Sequence, residues 1–189
     1  MKLETLLSST PAFAARLEEV LESLQMADAC RDMKMDHICV RLNSGLEVLK
    51  LKVELEQIGS TISTANVNGR DIHIIQLEQP ILVGRWETLG IELPHPKPGR
   101  TYDEGWEHVE FVIPGLFNTM IDVMRSFESH FPHLKQPPFV GQFQLKADEP
   151  EAEGDQMPNP TIGIVSAGVG VKFHARPIQE VVGYQKSPQ

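Results

Sequence analysis

The order of apolar patterns along this chain repeats, and the repeat limits the folds open to it. His37 to Leu42 alternates as a strand and is ended by Asn43-Ser44-Gly45. Leu46 to Ile58 has helical spacing through Leu46, Leu49, Val53 and Leu55, and Gly59 stands where helices stop. Ser60 to Asn66 reads as a second strand, Asn68-Gly69 as a hairpin turn and Ile72 to Leu77 as a third strand. Ile81 to Leu93 is a looser fourth strand, punctuated by Gly84 and Gly90.

After a stretch of turn formers over residues 94–105, the order returns. His108 to Ile113 is a strand, and Leu116 to His130 a helix with Met120, Ile121, Val123, Met124 and Phe127. Phe139 to Lys146 is the next strand, and Asp148 to Asp155 reads as an exposed acidic loop. Thr161 to Val165 and Val169 to His174 form a hairpin across Ala167-Gly168, and a short helix over Pro177 to Tyr184 ends the pattern. A βαβββ unit thus occurs twice.

The expected architecture is α+β: two paired βαβββ modules form a curved mixed sheet around a cavity, with an added N-terminal helical segment. The boundaries are residues 1–35 for that segment, 36–93 and 107–189 for the modules, and 94–106 for the linker. Residues 9–30 read as one amphipathic helix, with Ser9 or Thr10 as cap, Pro11 in the first turn, and Phe13, Leu17, Val20, Leu21 and Leu24 at helical spacing.

Alternate residues of a strand share a face. His37, Cys39 and Arg41 point one way from the first strand, His108 and Glu110 from its counterpart, and Lys172 and His174 from the last. Glu92 lies on the last strand of the first module. His37, His108, His174 and Glu92 are one position per paired strand, and three imidazoles with a carboxylate suit zinc, nickel, manganese or ferrous iron. Glu110 can replace Glu92 as the carboxylate, or act as a general base. Arg41, charged and on the His37 face, is a candidate holder of a substrate carboxylate or phosphate, the alternative being an ion pair with Glu92 or Glu110. Cys39 reads as core, His73 as structural, and His95, His130 and His133 as linker or helix-end residues.

Charge and composition exclude several classes. With 17 Lys and Arg against 26 Asp and Glu, the net charge is -9, which offers no basic stripe for nucleic acid or for an anionic membrane. Two cysteines are too few for a disulfide framework, no apolar run approaches the length of a membrane span, and residues 1–4 do not open a signal peptide; the expectation is a cytoplasmic protein. Gly163, Gly168 and Gly170 do not open a helix, so no dinucleotide fingerprint is present.

Asp36-His37-Ile38 with Arg41, Val67-Asn68-Gly69-Arg70, Glu104-Gly105-Trp106-Glu107-His108-Val109-Glu110, Pro158-Asn159-Pro160-Thr161 and Val171-Lys172-Phe173-His174 together resemble the bacterial YecM family. That family's fold is similar to the vicinal oxygen chelate superfamily, which includes glyoxalase I, extradiol dioxygenases and related epimerases. The resemblance implies paired βαβββ modules, a divalent metal in the cavity, and His37, His108 and one or more of Glu92, Glu110 and His174 as its ligands. The family carries no settled reaction; the first expectation is a metal-dependent isomerase, lyase or dioxygenase acting on a small oxygen-bearing substrate. A non-catalytic metal or small-ligand binding protein is the alternative, and a structural module with packed histidines a third.

Overall fold

A computed structural model describes residues 1–67, 69–115, 117, 119–150 and 154–184. Eight strands form one sheet: β1 (Lys34–Arg41), β2 (Gly59–Val67), β3 (Arg70–Val83), β4 (Trp86–Pro94), β5 (Gly105–Val112), β6 (Gln144–Asp148), β7 (Thr161–Ser166) and β8 (Val169–His174). Their order across the sheet is β2-β3-β4-β1-β5-β8-β7-β6. β1 pairs in parallel with β4, β5 pairs in parallel with β8, and β1 meets β5 antiparallel at the centre. Each half is therefore a βαβββ module with its first strand innermost, and the two modules join through those first strands.

The helices are α1 (Leu3–Ser8), α2 (Thr10–Ser23), α3 (Ala27–Arg31), α4 (Gly45–Leu55), α5 (Met120–His130) and α6 (Ile178–Val181). The single helix expected over residues 9–30 is interrupted. Gln25 takes a left-handed φ of 53°, so α2 stops and the chain restarts as α3. Ser9 is itself helical and makes no cap; its hydroxyl donates to the Leu6 carbonyl instead.

The N-terminal helices pack behind the sheet. Phe13, Leu17, Val20 and Leu21 of α2 share one core with Ile38 and Val40 of β1 and with Val109 and Phe111 of β5. Trp86 Nε1 donates to the Cys30 carbonyl, and Trp106 Nε1 to the Leu6 carbonyl and Thr10 Oγ1, so both indoles are satisfied where they are buried. Each fully buried Leu or Phe of this layer contributes about 1.5–3 kcal/mol relative to exposure. Strand alternation sends His37, Cys39 and Arg41 to the other face.

Several element boundaries differ from those the sequence pattern predicts. β3 runs through Val83 and reverses at Gly84, whose φ of 63° suits a residue without Cβ, so Ile81 belongs to the third strand rather than the fourth. β6 begins at Gln144, because residues 139–143 are taken up by turns. α5 begins after Thr119, whose hydroxyl accepts from the Asp122 N–H as N-cap; Leu116 lies outside the described residues, as does Asn68 of the β2–β3 turn. In α4 the buried stripe is Val48, Leu51 and Leu55, while Leu46, Leu49 and Val53 face outward. Of the helix expected over residues 177–184, α6 keeps one turn.

Candidate metal centre and cavity

The concave face of the sheet encloses a cavity of about 450 Å³ lined by residues of both modules. His37, Arg41, Glu92, His108, Glu110 and Lys172 all line it, and no residue of α1, α2 or α3 does.

Two irregularities of the central strand pair build its floor. Across β1 and β5, Met35 pairs with Phe111 and His37 with Glu110, which leaves Asp36 without a partner in β5. Further along, Cys39 pairs with His108 and Val40 with Trp106, which leaves Glu107 likewise. Each module thus carries a bulge on the acidic residue that precedes its histidine. A bulge re-aims side chains; here it lets neighbours on one strand touch. His37 Nδ1 meets Asp36 Oδ2 at 2.9 Å, and His108 Nδ1 meets Glu107 Oε2 at 2.9 Å.

With Nδ1 donated backwards, each imidazole presents Nε2 to the cavity. His37 Nε2 lies 3.3 Å from Glu110 Oε1 and 3.7 Å from Glu92 Oε2. His108 Nε2 lies 3.2 Å from Glu110 Oε1 and 3.3 Å from Glu92 Oε2. Lys172 Nζ lies 2.6 Å from Glu110 Oε1 and 4.0 Å from Glu92 Oε2. All four of these ligand-type side chains are buried.

The electrostatics follow from that packing. Burial opposes charge on Glu92 and Glu110, but the Lys172 ammonium and the two imidazoles outweigh it and hold both carboxyls well below the ordinary range. Burial likewise opposes an imidazolium at His37, and the Glu110 charge with the Asp36 hydrogen bond overcomes it, so His37 is raised well above its ordinary value. His108 is raised as well, against burial, by Cys39 and the Glu107 hydrogen bond. Glu107 is lowered to about 2 against its own burial by His108 and Arg41.

Donor spacing fits a metal. Two ligand atoms each about 2.1 Å from one ion stand about 3.0–3.4 Å apart, and the nitrogen–oxygen separations here run from 3.2 to 3.7 Å. A ligating histidine whose other nitrogen donates to a carboxylate is the usual outer arrangement of such sites. His37, Glu92 and Glu110 have donor atoms close enough to share one ion, and so do Cys39, Glu92 and His108.

His174 sits elsewhere. It is fully buried, with Nε2 3.6 Å from Asp36 Oδ2, so it stands beside the carboxylate that orients His37 rather than beside Glu92 and Glu110, and Asp36, His37 and His174 form a third group whose donor atoms are close enough to share one ion. Arg41 Nε donates to Glu107 Oε2 at 2.6 Å, so its ion pair is with Glu107 and not with Glu92 or Glu110. Cys39 is buried on the cavity side near Glu92 and His108. His73 accepts or donates at Thr64 Oγ1 and meets His95 ring to ring, while His130 and His133 bond to backbone carbonyls.

Residue type alone does not mark Asp36, Glu107 and Lys172 as part of the site. The signal for the first two was an acidic residue directly before a histidine in both modules. Strict alternation argues against contact between strand neighbours, and only the bulges permit it.

Comparisons with known proteins agree over nearly the whole chain. The family model described as YecM protein matches residues 2–185. Protein YecM of Escherichia coli is 30% identical over 189 residues, covering 98% of this chain and 95% of that protein. An uncharacterised protein of Haemophilus influenzae is 33% identical over 132 residues, covering 69% of this chain and 66% of its own length. Among solved structures, the structural-genomics protein EC4020 superposes with a TM-score of 0.78 at 27% identity, covering 96% of this chain and 91% of that one. With the family model matched over residues 2–185 and a relative 30% identical over nearly its full length, the chain belongs to the YecM family.

Proposed function

We propose that the chain is a divalent-metal-dependent enzyme of vicinal-oxygen-chelate type, acting on a small oxygen-bearing substrate in the cavity between the modules. The observation that carries this reading is the paired outer hydrogen bonding: Asp36 and Glu107 each hold a histidine by Nδ1, leaving both Nε2 atoms free to face Glu92 and Glu110. His37, His108 and Glu92 would hold the ion, two imidazoles and one carboxylate being a set that suits zinc, nickel, manganese or ferrous iron; the donor atoms of His37 and His108 fall in separate groups about Glu92, so one imidazole would have to move toward Glu92 for both to share it. A bound divalent ion supplies a Lewis acid for two neighbouring substrate oxygens.

The remaining chemistry belongs to side chains. Glu110, bonded by Lys172, is the proton carrier, within reach of any group seated against His37 and His108. Arg41, fixed by Glu107, meets an anionic group of the substrate. Ile74, Ile178 and Val181 form a small apolar cluster on the cavity side and exclude water from one wall. Isomerase, lyase and dioxygenase chemistry would each be served by such a Lewis acid, and the cavity favours none of them.

One observation favours a second reading, a non-catalytic metal or small-ligand binding protein. Lys172 stands among the carboxylates Glu92 and Glu110, and the imidazoles of His37 and His108 are raised well above their ordinary value among Asp36, Glu92, Glu107 and Glu110, so the chain's own cations can balance much of the cluster's charge, which suits a small ligand held without turnover.

The test is elemental analysis of untagged protein, followed by assay of the metal-loaded chain on small diols, hydroxyketones and catechols. Turnover that requires the metal supports the enzyme. Stoichiometric metal with no turnover on the whole panel favours the binding protein, and failure to take up any of the four metals overturns both metal readings.

A further inference from the structure

The cavity has a second chemical pole, at the end where β1 finishes and β3 begins. Arg41 closes β1, Arg70 opens β3, and the segment after β4 brings in Lys97, Arg100 and Tyr102; all five line the cavity. That segment is tied down. Tyr102 N–H donates to Asn43 Oδ1 at 2.7 Å, Asn43 Nδ2 donates to the Tyr102 carbonyl at 2.9 Å, and Arg70 Nη1 donates to the His95 carbonyl at 3.3 Å.

Both guanidiniums are only partly used. Arg41 gives Nε to Glu107 and stacks 5.4 Å from the Tyr102 ring centre, yet its Nη1 is buried with no acceptor. Arg70 Nε is buried with no acceptor too, and among the described residues no carboxylate pairs with Arg70. A buried donor left unmade is costly. Burial first, and then the nearby Arg41 charge, push the Arg70 guanidinium below its ordinary value, so the two cations stand close enough to repel. A water can fill one N–H but does not offset that repulsion. Four cations (Arg41, Arg70, Lys97 and Arg100) line this end of the cavity, where Glu107 pairs with Arg41 and the Glu92 charge acts on both Arg41 and Arg70, in a chain whose net charge is -9.

We propose that Arg41 and Arg70 form an oxyanion subsite, one carboxylate away from His108, that holds a carboxylate or phosphate group of the ligand. The chemistry is that of planar forks on an oxyanion, which gives bidentate contacts that an ammonium does not. The assignment rests on the reading of the cavity as a substrate site, and narrows its substrate class to small anionic molecules. Their vicinal oxygens reach His37, His108 and Glu92 while the charged end lies on the arginine pair. Lys97 and Arg100, which line the cavity beside the arginine pair, favour a doubly charged group, such as a phosphate monoester, over a lone carboxylate.

The experiment is calorimetric titration of the full chain with inorganic phosphate, malonate and acetate at constant ionic strength, with metal content measured on the same samples. The parent is expected to bind phosphate or malonate more tightly than acetate; the tighter of the two tells a phosphate-bearing from a dicarboxylate ligand. Arg70→Gln is expected to lose about tenfold or more in that affinity, and Arg70→Lys to lose part of it, both keeping the parent's metal content and circular dichroism. Arg125→Gln, an exposed site on α5, controls for general charge and is expected to change nothing. His37→Ala is expected to lose metal and keep anion binding, so failure of the metal reading leaves the subsite standing. Absence of anion binding in the parent, equal affinity in Arg70→Gln, or an equal loss in Arg125→Gln would overturn the subsite.

Discussion

Glu92 on β4 and Lys172 on β8 occupy equivalent positions in the two modules. His37 pairs with Gly90 across β1 and β4, and His108 pairs with Gly170 across β5 and β8; two residues on in each case come Glu92 and Lys172. By the same symmetry Cys39, opposite His108, corresponds to Glu110, opposite His37. The module pair therefore matches histidine with histidine, but sets a thiol against a carboxylate at one pair of equivalent positions and an ammonium against a carboxylate at the other.

Lys172 then competes with a metal for Glu110. Its Nζ is 2.6 Å from Glu110 Oε1, and a dication among the same carboxylates meets an unfavourable like charge. Replacing Lys172 by Met is expected to raise affinity for zinc or manganese by about tenfold, read by calorimetry. Equal or weaker affinity in the variant would mean that Lys172 supports the ion's carboxylate ligands rather than opposing it.

The outer carboxylates are the next lever. Asp36→Asn and Glu107→Gln remove the charge behind each Nδ1 while keeping a hydrogen-bonding group, and each is expected to weaken metal affinity about 10- to 100-fold. Competition against a chromophoric chelator measures this. The two variants should lose comparable amounts, since each serves one histidine.

Backbone closeness is as demanding as charge. A Cβ on Gly90 would stand 2.7 Å from His37 Cβ, and one on Gly170 would stand 2.7 Å from His108 Cβ. Neither Gly90→Ala nor Gly170→Ala fits without moving a histidine, and each is expected to cost about 1–3 kcal/mol in denaturant unfolding. Gly163→Ala, whose Cβ would meet nothing closer than Lys172 Cγ at 3.5 Å, serves as the tolerated control.

Stability should depend on pH in a metal-dependent way. His37 and His108 are raised in the folded, metal-free chain, so their contribution is present below the unfolded imidazole value of about 6.5 and is lost as pH rises through the folded values. His73 and His174 are lowered, burial being the first cause in both, and their contribution is lost as pH falls below about 6.5. Glu92 and Glu110 lose theirs only as pH falls through their depressed values. The metal-free Tm is therefore expected to peak at about pH 6.5 and fall on the alkaline side. A metal must displace the Nε2 protons, so its stabilising increment should grow over the same alkaline range. A metal-free Tm that climbs steadily from pH 6 to 9 would contradict the charged histidine pair.

The module order was legible because each element carries its own pattern and turn chemistry, and a repeat of order survives the absence of a repeat in sequence. His37, His108 and Glu92 could be set on cavity-facing positions by strand alternation alone. Alternation also set His174 beside Lys172, but register decides which of them stands opposite Glu110, and that is Lys172. The α4 face misled for a similar reason. Leu46, Leu49 and Val53 have the same helical spacing as Val48, Leu51 and Leu55, and only docking on the sheet selects the second stripe. Asp36 and Glu107 depend on bulges between strands far apart in the chain, which no local pattern announces.

The most direct measurement is a metal titration of the untagged chain beside His37→Ala/His108→Ala and His174→Ala. One divalent ion per chain is expected in the parent and in His174→Ala, and none in the double variant. Metal binding that survives the double variant, or that is lost with His174 alone, would contradict the centre assigned to His37, His108 and Glu92.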